Sequence, residues 1–207
     1  LQEYFFVACA IRDIVARYQG SALGLLWSLL TPLVMLAVFT FVFTVVFQVR
    51  WGTLGDNKGA FALMLFPGVI VNAFFAECIN RAPGLMLQNP GFIKRVVFPL
   101  EGLPWVVMCS SLFHAAISLV VLAAVMLVVM GSLPATWPLF LVVLLPLLLF
   151  VIGFSWALAA LGVYLRDLQQ TINIVTAVMM FMSPIFYPAT AVPKDVRWVI
   201  DWNPMTF

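Results

Sequence analysis

Apolar runs separated by short polar breaks dominate the chain. Residues 23–47, 60–79, 105–130, 139–164 and 171–187 each reach the ~17–25 residues that a helix needs to cross a bilayer. The pattern therefore predicts an all-α, polytopic membrane protein with about five transmembrane helices. A membrane β-barrel would instead show ~10-residue segments of alternating polarity. Prolines 32 and 67 interrupt the first two runs, which membrane helices tolerate when neighbours satisfy the freed carbonyl. Residues 2–19 follow a different rhythm. Tyr4, Val7, Ile11, Ile14 and Tyr18 recur at three- and four-residue spacing on one face, with Glu3, Asp13 and Arg17 opposite. That spacing predicts an amphipathic helix lying on the membrane surface, or alternatively a helix packed on another domain.

Composition sharpens this picture. The chain is 65% hydrophobic and 9% charged, with a mean hydropathy of +1.14. A soluble domain would be about one-quarter charged. A net charge of +2 gives no basis for nucleic-acid binding. Cys9, Cys78 and Cys109 have no metal-ligand spacing and read as small buried residues. Lys and Arg near the span ends set orientation. Arg12, Arg17, Arg81, Lys94, Arg95 and Arg166 gather on one side, and Arg50, Lys58, Lys194 and Arg197 on the other. This bias places the N-terminus and the 81–104 loop in the cytoplasm, and residues 188–203 outside. Most tryptophans fall near predicted span ends, as an aromatic belt would. The last residues stop without a further span, so the chain reads as a single transmembrane domain, 1–207, truncated at both ends.

Polar residues inside or beside the spans are the candidates for chemistry. There is no P-loop, Gly-rich phosphate cradle or H-E-x-x-H motif. His114 lies mid-span, and an intramembrane ionisable group is a functional candidate by default; bonding to a neighbouring helix is the simpler reading. Glu77 and Arg81 stand four apart and can pair along one helix face. Arg166 and Asp167 end the fourth span as an ion pair, a topology signal or part of a latch. The segment 89–99 reads as a capped miniature helix: Asn89 suits the cap, Pro90 the first turn, and Pro99 the stop. Phe92, Val96 and Pro99 share one face, leaving Lys94 and Arg95 free for a partner's carboxylates or lipid phosphates. Simple positive-inside topology explains the same two charges.

The sequence from Arg12-Asp13 through Arg17-Tyr18 to Gly24, Trp27 and Pro32 resembles the opening of ABC-2 type permeases that export polysaccharides. The basic pair Lys94-Arg95 followed by Phe98-Pro99, the Arg166-Asp167 step, Ser183-Pro184 with Tyr187-Pro188, and Trp202-Asn203-Pro204 match later motifs of that family in order and spacing. The nearest relatives by this likeness are O-antigen and teichoic-acid exporters. The resemblance implies a homodimer of six-span subunits in a bacterial inner membrane, driven by a separate ABC ATPase subunit that holds ATP and Mg. No cofactor is expected on this chain. The implied cargo is a lipid-linked polysaccharide on polyprenyl diphosphate. Carried over by position, Phe92, Ile93, Lys94, Arg95, Val96 and Val97 would dock into the ATPase. Arg12 and Arg17 would lie near the lipid diphosphate, Glu77, Arg81, Arg166 and Asp167 would act as latch residues, and 188–203 would form an outer gate. The rival readings are an exporter of the same fold carrying a drug or another lipid, and a membrane enzyme acting on polyprenyl phosphate.

Overall fold

The computed structural model describes residues 2–46, 58–88, 101–134, 137 and 139–187. It is built of helices throughout: α1 (Gln2–Tyr18), α2 (Leu26–Phe41), α3 (Lys58–Arg81), α4 (Leu85–Gln88), α5 (Gly102–Met130), α6 (Leu139–Tyr164) and α7 (Leu168–Met182). Among the described residues four helices are long and apolar enough to cross a membrane: α2 with the π-helical turn that extends it, α3 with its continuation into α4, α5 and α6. In hydrocarbon a helix is favoured because it satisfies every backbone group within itself. Side-chain hydroxyls follow the same rule. Thr31 donates to the Trp27 carbonyl at 2.8 Å, Thr40 to that of Leu36 at 2.7 Å and Thr44 to that of Thr40 at 2.6 Å.

Local signals set the helix ends. Pro83 carries no N–H, and α3 ends just before it in a 3₁₀ turn, Ala82–Gly84, that leads into α4. Gly131 closes α5 in the left-handed conformation (φ 72°), its N–H bonding the Leu127 carbonyl at 3.1 Å. Ser183, extended at φ −79° and ψ 139°, closes α7. The following Pro184 disfavours a helical Ser183. The fifth predicted span is thereby shortened. At 15 residues α7 measures ~22 Å, less than the ~30 Å hydrocarbon core. The second predicted span is longer than expected, because residues 80–88, assigned to a loop, continue it as helix and 3₁₀ turn. Helix α5 likewise begins at Gly102, three residues early.

Helix α3 is the centre of the bundle. Half of its most apolar window is buried, against 17–28% for the other three. One face packs Phe74, Phe75, Cys78 and Ile79 against Met108 of α5, Val151 and Ile152 of α6 and Ile172 of α7. The earlier turns pack Leu63, Phe66 and Ile70 against Leu36 of α2 and Leu122 and Met126 of α5. At its far end, Pro83 lies so close to Gly162 of α6 that a Cβ there would overlap the Pro83 backbone. A hydroxyl–amide contact joins α3 to α7, with Thr176 Oγ1 2.8 Å from Asn80 Oδ1. Cys78 is buried as expected, whereas Cys109 is exposed and Cys9 only partly covered. Position 109 lies on an exposed face of α5.

Candidate functional site

The polar groups of the first helix converge on the end of α3. Helix α1 packs along α5 with part of its apolar stripe and part of its polar face. Val7 and Ile11 are 58% and 55% exposed, whereas Asp13, Ile14 and Tyr18 turn inward. Asp13, on the face opposite the apolar stripe, thus packs toward the protein together with Ile14 and Tyr18 of that stripe. The physical reason is that lipid accepts an apolar helix face as readily as protein does, whereas the charges on α3 have no partner in lipid and draw the charges of α1 toward them.

Four charges form one chain across this junction. Arg81 donates two hydrogen bonds to Asp13, at 2.7 Å to Oδ1 and 3.0 Å to Oδ2. This is the two-pronged arrangement that gives Arg–carboxylate pairs their geometric specificity. Arg17 meets Glu77, and Arg81 lies 3.7 Å from Glu77 along the helix. The expected Glu77–Arg81 pair therefore exists, but each residue is bound more tightly to α1 than to the other. Burial pushes the Asp13 carboxyl up, and the hydrogen bonds and charge of Arg81 outweigh it, so the net displacement is downward. Burial raises the Tyr18 phenol, keeping it a hydroxyl. That hydroxyl lies 3.2 Å from Nδ1 of His114, so the mid-span histidine bonds a neighbouring helix, and that neighbour is α1.

Arg12 and Arg17 part company. Arg17 is engaged by Glu77. Arg12 lines a cavity of about 260 Å3 between α1, α3, α4 and α5, with Cys9, Asp13, Arg81, Gln88 and Val106. Arg166 and Asp167 are both exposed in the turn between α6 and α7, and no ion pair joins them among the described residues. The Asp167 carbonyl accepts from the Thr171 N–H at 3.0 Å and its hydroxyl at 3.1 Å, starting α7. Phe92, Ile93, Lys94, Arg95, Val96 and Val97, and the whole of 188–203, lie outside the described residues. Among the described residues no cluster of His, Cys, Asp or Glu could hold a metal ion. Sequence reasoning missed Asp13 and Tyr18 as members of the junction. The only signal for them was the presence of ionisable partners on α3 and α5.

Residues 4–207 match the sequence profile of the family described as ABC-2 type transporter. The chain is similar to the O-antigen export system permease protein RfbA of Myxococcus xanthus, at 28% identity over 94% of this chain and 73% of that protein. It is similar to the polysialic acid transport protein KpsM of Escherichia coli, at 26% identity over 99% of this chain and 78% of that one. A daunorubicin resistance ABC transporter permease protein, DrrB1 of Streptomyces coeruleorubidus, is 29% identical over 86% of this chain and 62% of its own length.

Proposed function

Because the chain belongs to the ABC-2 type transporter family, a family of transport components rather than enzymes that implies an ABC ATPase partner, we propose that it is the permease subunit of an ATP-driven exporter of polysaccharide. Two copies enclose the path, and the cargo travels on a polyprenyl-diphosphate lipid from the cytoplasmic to the outer leaflet of a bacterial inner membrane. The N-terminus and residues 81–104 face the cytoplasm. The relatives named for O-antigen and polysialic acid transport support the cargo class.

The observation that carries the mechanism is the charge chain Asp13–Arg81–Glu77–Arg17. It fastens the surface helix to the last turns of α3, and the same polypeptide continues through α4 into segment 89–99. Phe92, Ile93, Lys94, Arg95, Val96 and Val97 of that segment dock into the ATPase. A displacement imposed there pulls on the end of α3, and α3 carries α1 through the ion pairs and α7 through Asn80 and Thr176. ATP shifts the population between closed and open paths only because the ATPase binds one of the two arrangements more tightly. Helix α7 leaves Gln170 and Asn173 exposed. Polar residues on a membrane-embedded helix face the protein interior or water, so this face turns toward the second copy and the path.

The test is a double charge reversal, Lys94→Glu with Arg95→Glu. The variant is expected to insert in the membrane normally, to lose the ATPase on affinity purification, and to stop export of surface polysaccharide. Wild-type ATPase recovery and export would refute the docking role. The likeness to DrrB1 favours a second reading with a drug as cargo. A deletion strain that keeps its surface polysaccharide and becomes drug-sensitive would select it.

A further inference from the structure

A groove of about 530 Å3 runs beside the junction, between α2, α3, α5 and α7. Its size falls within the ~300–1,000 Å3 of small-molecule sites. At one end Phe39 and Phe66 meet edge to face at 6.4 Å, with Val69 and Ile70 beside them. At the other end stand Glu77, Ser111 and His114. The groove is therefore amphipathic along its length.

Two polar atoms at that end are unsatisfied. Ser111 Oγ and His114 Nε2 are buried, with no hydrogen-bond partner among the described residues, and Ser111 is 1% exposed. A buried polar atom left unpaired has lost its hydrogen bonds to water without replacement, so the site favours an occupant that completes it. In the tautomer in which the Tyr18 hydroxyl, 3.2 Å away, donates to Nδ1 of His114, Nε2 carries the ring proton and is a donor. Ser111 supplies a second donor. Together they suit an oxygen that accepts. Water would satisfy these two atoms but not the apolar stretch, where it would lack the two to four polar partners a buried water needs. Arg17 neutralises Glu77, so the carboxylate does not repel an anionic head. Three of the helices that wall the groove, α2, α3 and α5, are long apolar spans whose surroundings are hydrocarbon.

We propose that this groove binds one hydrocarbon chain of a lipid whose oxygen-bearing head accepts hydrogen bonds from Ser111 and His114. The occupant touches the two residues, Glu77 and His114, that hold Arg17 and Tyr18 of α1, so its presence is felt at the surface helix. The inference rests on the membrane placement of the reading above and not on its cargo.

The test uses the full-length protein with its ATPase in nanodiscs. One arm contains a phospholipid with a diazirine in its acyl chain, the other a polyprenyl phosphate with a diazirine in its prenyl chain. After irradiation, digestion and mass spectrometry, adducts are expected on peptides bearing Met35, Ala73 and Ala115 in at least one arm. Labelling by the acyl probe identifies a bilayer lipid as the occupant, and labelling by the prenyl probe a carrier lipid. Ala73→Trp, which places bulk in the groove from an exposed position of α3, lowers those adducts by about tenfold or more. Adducts at Val128, 86% exposed on α5, stay constant. Met35→Trp fills the groove from α2 and gives the same result if the first variant does not fold. The double variant Ser111→Ala, His114→Phe also loses groove adducts. Absence of groove adducts in both arms, or wild-type labelling in the filled variants, overturns the proposal. Because no export is measured, failure here is separate from failure of the transport reading.

Discussion

Asp13 and Arg81 show how much depends on two side chains that sit on different elements. Removing Asp13 leaves the Arg81 guanidinium, about one-third exposed, without its two-pronged acceptor. Hydrogen bonds to charged groups contribute about 1.5–3 kcal/mol, and partial solvation reduces this, so Asp13→Ala is expected to lower stability by about 1–2 kcal/mol in thermal unfolding of the detergent-purified protein. Exchanging the charges, Asp13→Arg with Arg81→Asp, is expected to recover part of that loss, whereas either single reversal is worse than Ala. The same carboxyl sets a pH dependence. Its titration is displaced below the ordinary carboxylate range, so its contribution is fully present above the unfolded value of ~3.9 and is lost as pH falls through the lower folded value. The protection of α1 amides against hydrogen exchange, relative to an unfolded chain at the same pH, should therefore be constant through the neutral range and fall only in strong acid, with Asp13→Asn already lowering it at neutral pH. Of this junction, the Glu77–Arg81 spacing was legible in the sequence. The stronger partners were not, because a 3.6-residue period identifies an apolar face without saying whether lipid or protein covers it.

At the scale of elements, two glycines contact their neighbours closely but differ in what they touch. A Cβ at 162 would overlap the Pro83 carbonyl and backbone, whereas one at 102 would meet the ring of Phe6. A ring can turn aside and a backbone cannot. Gly162→Ala is expected to separate α6 from the Ala82–Gly84 turn and to cost about 1–3 kcal/mol, the range for overpacking. Gly102→Ala is expected to cost clearly less. Thermal unfolding of the two variants side by side decides this, and equal losses would contradict it. Hydropathy located the long helices well, α6 to the residue, since a long apolar run has few ways to satisfy its backbone other than a helix. It overran α7, because Ser183 precedes a proline and a hydropathy window does not register backbone restrictions. It ended the second span early, because Arg81 and Pro83 look like a loop although the helix persists to Arg81 and a 3₁₀ turn carries it onward. The contact between Gly162 and Pro83 was invisible, since tight packing between remote segments leaves no periodic trace.

For the whole molecule, the central fact is that one short stretch, residues 76–84, meets α1, α6 and α7 and then leads toward the segment assigned to the ATPase. The family was legible in the order of weak motifs along the chain. The groove was not, because its lining comes from four helices and its polar end from residues that look unremarkable apart. The separations within the junction also impose an order of assembly. Arg17 waits 60 residues for Glu77, Asp13 waits 68 for Arg81, and Tyr18 waits 96 for His114. At the ~5–20 residues per second of protein synthesis, the first helix waits roughly 3–12 s before its first salt bridge can form, counting only the 60 residues between Arg17 and Glu77 and nothing for passage through the tunnel. During that interval its charges are held by water and lipid headgroups alone. A nascent chain stalled before Glu77 should expose α1 to added protease, and one stalled after the third span has emerged should protect it.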